Sequence, residues 1–68
     1  MLIGGDKLIN LMLVRKKKKM TQVDLAKRLG VTRGTIANWE SGTSNPSIEI
    51  LLELSRIFDV SVDYLIKE

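Results

Sequence analysis

Apolar residues recur three or four positions apart along this chain, in short stretches separated by brief polar breaks. That spacing is helical, and no stretch shows the alternation expected of a strand. Leu8, Leu11 and Arg15 mark one face of a first segment, with Val14 beside it. Asp6 is an acceptable N-cap, so a helix is predicted from there to about Lys18. Thr21 and Asp24 resemble a capping box, with Asp where Glu or Gln is usual. They open a second helix to Leu29 whose stripe is Leu25, Ala26 and Leu29. Gly30 suits the left-handed residue that ends a helix. Thr32 then caps a third helix over Arg33 to Ser41, with Ile36 and Trp39 inward, and Gly42 ends it. Pro46 disfavours a helical Asn45, so "TSNP" is a loop. Ser47 caps a fourth helix to Phe58, with Ile48, Leu51, Leu54, Ser55 and Phe58 expected on its buried side. Ser61 caps a last one through Val62, Leu65 and Ile66. Five short helices with very short connections predict a single all-α domain over residues 1–68.

The second and third helices are joined through Gly30 and Val31 alone, as in a helix-turn-helix. Such a unit needs a small residue where the helices cross, and Ala26 is there. It needs apolar anchors for the second helix, and Val31, Ile36 and Trp39 are spaced to provide them. Its outward positions must be polar, and Arg33, Thr35 and Asn38 fill them. Gly34, on the same side, costs about 1 kcal/mol relative to alanine in a helix interior. Either it clears space for a close partner, or glycine is tolerated at the second position of a short helix.

Composition narrows the chemistry. With no cysteine and no histidine, disulfides, the commonest zinc ligands and the commonest general base are all missing. The carboxylates are scattered among lysines, and no convergent set of acid, base and nucleophile can be assembled. No enzyme, cofactor or metal site is expected. Charge adds a direction. Up to Gly42 there are nine positive and three negative residues, and from Thr43 onward two positive and five negative. A basic front and an acidic back suit a polyanion on one side. The opening "MLIGGDKLINLMLVRKKKK" has too short an apolar run to cross a bilayer. Its charges follow that run instead of preceding it, unlike a secretory signal. A cytoplasmic location is expected.

The stretch "TQVDLAKRLGVTRGTIANWESGTSNPSIEILLELSRIFDVSVDYL" resembles the phage-repressor and Cro-like helix-turn-helix family, also called the xenobiotic-response-element family. The resemblance runs from about Leu8 to Ile66 and implies a five-helix, lambda-repressor-like DNA-binding domain. The implied function is sequence-specific binding of double-stranded DNA by a transcriptional regulator, a repressor acting as a dimer on a near-palindromic operator. Arg33, Gly34, Thr35 and Asn38 would then face the major groove, where Arg can bond guanine and Asn adenine bidentately. Gln22 would bond a phosphate, with Thr21, Thr32, Lys18 and Lys19 near the backbone. Thr43, Ser44, Asn45 and Ser47 would offer backbone N–H groups and hydroxyls to the other strand. Arg15 and Glu40 match the family's ion pair between the first and third helices. Trp39 is expected to pack instead of stacking on a base.

Two departures stand out. The family usually has glycine where Lys19 stands, which implies a left-handed backbone at that lysine or a locally different turn. Ile9, Met12 and Leu13 are apolar where the family commonly shows charge, and one helix face cannot bury them together with Leu8, Leu11 and Val14. That surplus is either an interface or a broad apolar face. The dimer surface is expected around Val60, Val62, Tyr64 and Ile66, with the first helix as competitor. A second reading is a protein-interaction module, such as an antitoxin or anti-repressor component, using the first helix. A membrane-surface role for "LINLMLVRKKKK" is the weaker third. No sensor domain is expected within these residues.

Overall fold

The computed structural model describes residues 8–67, so the expected cap at Asp6 lies outside the described residues. Five helices occur in order: α1 Ile9–Lys17, α2 Gln22–Leu29, α3 Arg33–Ser41, α4 Ile48–Phe58 and α5 Val62–Ile66. No strand occurs among the described residues. α2 packs on α3, α1 lies against both α3 and α5, and α4 packs on α5. α1 is shorter than expected at both ends, with Leu8 fully buried immediately before it.

Hydroxyl caps start the other four helices. The side chains of Thr21, Thr32, Ser47 and Ser61 accept from the backbone N–H three residues on, as their positions before each apolar stripe predict. At α2 the box is complete, because the Thr21 N–H donates to Asp24 Oδ2 at 2.9 Å. That bond, with the one from the Thr21 hydroxyl group, holds the Asp24 carboxyl below its ordinary pKa.

The first four helices also end alike. Lys19, Gly30, Gly42 and Asp59 are left-handed, with φ of 58°, 73°, 85° and 54°. In each case the next residue's N–H returns to a carbonyl five positions back: Met20 to Arg15, Val31 to Ala26, Thr43 to Asn38 and Val60 to Ser55. Lys19 therefore adopts the strained backbone that the departure from glycine implied.

The core is one cluster drawn from all five helices: Leu11, Val14, Leu25, Ala26, Ile36, Trp39, Leu54, Phe58 and Leu65, with Leu8. Ile48, expected on the buried side of α4, is 62% exposed. It shares a helical phase with Leu51, which is buried, yet lies itself on the surface at the start of α4. Asn10 supplies a tie that the pattern did not announce. Its Nδ2 donates to the carbonyls of Tyr64 at 2.7 Å and Lys67 at 3.2 Å, closing the end of α5 onto α1.

Candidate nucleic-acid interface

The third helix has two chemically distinct sides. Ile36, Trp39 and Glu40 are buried, while Arg33, Gly34, Asn38 and Ser41 lie on the outer side. Thr35 is half-buried, and its hydroxyl lies 2.9 Å from that of Thr32. Nine residues make α3 about 13 Å long, comparable to the width of a major groove. At Gly34 an added Cβ would meet only the Thr32 hydroxyl, at 3.9 Å. The protein itself therefore does not require glycine there. Trp39 is buried, as its packing role required.

Arg15 and Glu40 form the expected pair, and it is bidentate. Arg15 Nε donates to Glu40 Oε2 at 2.7 Å and Nη2 to Oε1 at 3.0 Å, with both side chains over nine-tenths buried. A third donor, Nη1, reaches the Met20 carbonyl at 2.8 Å. The pair thus joins α1, the turn after it and the end of α3. Breaking such a pair by removing one member costs about 3–5 kcal/mol, because the other charge is left buried.

Gln22 has more partners than the sequence suggested. Its Nε2 donates to Glu40 Oε1 at 3.0 Å, and its Oε1 accepts from Arg33 Nη1 at 2.9 Å. Four side chains, Arg15, Glu40, Gln22 and Arg33, form one connected line from the core to the surface. The expectation of Gln22 as a phosphate contact did not include this network. Sequence reasoning had no means to see it, since each bond spans 11 to 25 residues.

The lysine run divides. Lys16 and Lys19 line a groove of about 570 Å³ with Thr21, Gln22 and Arg33. Lys17 and Lys18 line another, of about 520 Å³, with Val14, Phe58, Asp59 and Val60. The structure therefore groups Lys19 with Lys16 and not with Lys18, because the chain turns past α1 and the Lys19 N–H returns to the Lys16 carbonyl at 2.9 Å. The loop also differs from expectation. The Thr43 and Ser44 N–H groups already donate to the Asn38 carbonyl, at 2.9 and 3.3 Å, so they are not free for phosphate. Ser47 Oγ caps α4, and Asn45 Oδ1 is buried without a partner among the described residues. Thr43 and Ser44 are exposed, with Thr43 Oγ1 2.9 Å from Ser41 Oγ.

Two apolar surfaces remain. On α1, Ile9 and Leu13 are 48% and 52% exposed and Met12 is half-buried, so the core does not absorb the surplus. Around α5, Val60 packs against the core, Val62 and Ile66 are half-buried, and Tyr64 is the exposed member. No helix among the described residues is long and apolar enough to cross a membrane.

Two short helices packed on each other with the small Ala26 buried in the first, the left-handed Gly30 turn and a polar outer face on α3 define a helix-turn-helix domain. Residues 11–65 match the helix-turn-helix family profile, and the chain belongs to that family. It is 45% identical over 58 residues to the HTH-type transcriptional regulator YqaE of Bacillus subtilis, covering 85% of this chain and 50% of that protein. It is 43% identical over 53 residues to repressor protein C2 of Salmonella phage P22, covering 78% of this chain and 24% of that protein. It is 42% identical over 53 residues to the HTH-type transcriptional activator BcrR of Enterococcus faecalis, covering 78% of this chain and 26% of that protein. The chain thus corresponds to half or less of these relatives' lengths.

Proposed function

We propose that this chain is a sequence-specific binder of double-stranded DNA that represses transcription as a symmetric dimer. The outer face of α3 carries that reading. Arg33, Gly34 and Asn38 share the outer side of a helix whose other side is locked by Ile36, Trp39 and the Arg15–Glu40 pair. Lys16, Lys19 and the Thr21–Gln22 start of α2 flank that face and suit phosphates, which position a reader without conveying sequence. A single domain makes few base contacts, so two copies would share a near-palindrome with half-sites about 34 Å apart. The resemblance to a phage repressor favours repression. BcrR, an activator, contains a similar domain, so the direction of regulation rests on the rest of the assembly. The reading places the protein with the DNA, in the cytoplasm, without a catalytic role.

Selection of bound duplexes from a randomised pool tests this directly. A two-fold symmetric motif is expected, and replacing Arg33 or Asn38 by Ala should cost about 1–3 kcal/mol on the selected duplex. A folded protein that enriches nothing would defeat the proposal. The second reading, a protein-docking module, is favoured by the exposed Ile9 and Leu13. It predicts that L13K abolishes association while leaving the isolated domain folded. Dimerisation through Tyr64 predicts the same of Y64K instead.

A further inference from the structure

Six large hydrophobic side chains are exposed among the described residues, and four of them form two pairs spaced four apart on a single helix. Ile9 and Leu13 are the pair on α1, and Ile48 and Leu52, 62% and 46% exposed, the pair on α4. At roughly 100° per residue, each pair lies away from the buried side of its own helix, marked by Leu11 and Val14 on α1 and by Leu54 and Phe58 on α4. Rows four apart are also the ridges that interdigitate when two helices cross. The two stripes are opposite in charge. α1 carries no acid, and the exposed Lys16 and Lys17 follow Leu13 within a turn. On α4 each aliphatic is followed by an exposed glutamate, Glu49 after Ile48 and Glu53 after Leu52. The single cation of α4, Arg56, lies 3.6 Å from Glu53, while Glu49 has no ion-pair partner among the described residues. Helix side chains lean toward the N-terminus, so a lysine one turn past Leu13 can reach the glutamate beside whichever aliphatic Leu13 meets.

We infer that the outer stripe of α1 docks on the outer stripe of α4 of a second copy, head to tail, joining neighbouring copies held on one duplex. Two α1 stripes face to face would bring cations together with no carboxylate, and two α4 stripes mainly carboxylates, so the mixed pairing is the complementary one. Both stripes are exposed, so neither covers the other within one copy. Two aliphatics a side bury far less than the roughly 1,000 Å² of a stable complex, which makes the contact weak between free copies. It takes effect where copies are held side by side, since tethering raises the local concentration to about the millimolar range. A head-to-tail contact leaves one stripe open at each end, so it can extend to a third copy, unlike a two-fold dimer through Tyr64. The placement on a duplex rests on the reading of α3, but the contact itself needs no DNA and can be measured without it.

Two variants, L13K and L52K, test the contact by NMR, without DNA and with protein raised toward the millimolar range. Wild type should show concentration-dependent amide shifts on both α1 and α4. Each variant alone has lost one stripe and should show neither set. Mixed, the α4 stripe of L13K can still meet the α1 stripe of L52K. Adding unlabelled L52K to 15N-labelled L13K should therefore shift α4 amides, whereas adding unlabelled L13K should not. A two-fold contact gives no such rescue. A mixture in which α4 does not shift, or in which shifts are confined to α5, would overturn the inference. Both leucines are exposed, so the fold is expected to tolerate the lysines, and the same spectra report it. Charge supplies a second set of variants. K17E should weaken the wild-type contact several-fold, and K17E combined with E49K and E53K should restore it. A K17E protein that associates like wild type would also overturn the inference. If duplex selection enriches nothing while the mixture still rescues, the reading of α3 fails and this contact stands.

Discussion

The turn between α2 and α3 and the turn between α4 and α5 are built alike. "LGVT" and "FDVS" each place a left-handed residue, a valine packed on the core and a hydroxyl cap in succession. Val31 and Val60 return their N–H groups to Ala26 and Ser55 at 3.0 and 3.1 Å, and Thr32 and Ser61 cap the next helix. Only one of the two pairs presents a surface suited to DNA. The difference lies in the helix beyond the turn: nine residues bearing Arg33 and Asn38, against five residues bearing Asp63 and Tyr64. The turn is a general joint, and function depends on the outer face that the joint supports.

How each pair is held to the rest of the fold offers the sharpest contrast. The α2–α3 unit is fastened to α1 by charge at Arg15 and Glu40, whereas the α4–α5 unit is held by Phe58 and Leu65 in the apolar core. E40A and F58A should each cost about 3–5 kcal/mol in equilibrium denaturation, the first through an uncompensated charge and the second through a cavity. They should differ in rescue. Replacing Arg15 and Glu40 together by Met and Leu is expected to restore most of the stability, because a buried ion pair often exchanges for apolar packing at little cost. A double variant as unstable as E40A would show that the stranded charge is not what destabilises the single one.

The left-handed residues of these two turns, Gly30 and Asp59, give the next effect. G30A should destabilise by about 1–2 kcal/mol from backbone strain alone, since nothing lies within 4 Å of an added Cβ. D59G removes a comparable strain but loosens the unfolded chain by about 0.4–1 kcal/mol. Its melting midpoint should therefore stay level or rise slightly. A clear drop for D59G would mean that the Asp59 side chain has a role the backbone does not show.

G34A separates the two readings of that glycine. With space around it, alanine should stabilise the free protein by up to about 1 kcal/mol. Weaker binding to the selected duplex despite greater stability would mark Gly34 as clearance for DNA, and unchanged binding would mark it as merely tolerated.

The smallest effect is acid-dependent and belongs to α2. The lowered pKa of Asp24 means that its cap adds stability above its unfolded value, and loses it as pH falls through the folded one. Amide protection at the start of α2 should decline in that window, while Ser61, which does not titrate there, keeps α5 capped. D24N should abolish the dependence.

Much of this architecture was legible because it is local. A hydroxyl before an apolar stripe, a glycine after one and a lysine in a glycine's place each concern neighbours a few residues apart, and the structure agrees with them. What escaped was set by tertiary placement. Ile48 obeys the periodicity of α4, yet it is left mostly exposed. Splitting the lysines depended on the turn that Lys19 makes after α1. The line from Arg15 to Arg33 needed three helices already assembled, and no pattern in one segment encodes that.

Asn10 makes α5 depend on the other end of the chain. A helix of five residues is mostly ends, and two carbonyls at its close rely on one amide 54 and 57 positions earlier. Closing a loop of that length costs entropy before it returns a contact. The last helix therefore leans on the first for its closing contacts, and N10A should speed amide exchange in α5 while leaving α3 undisturbed.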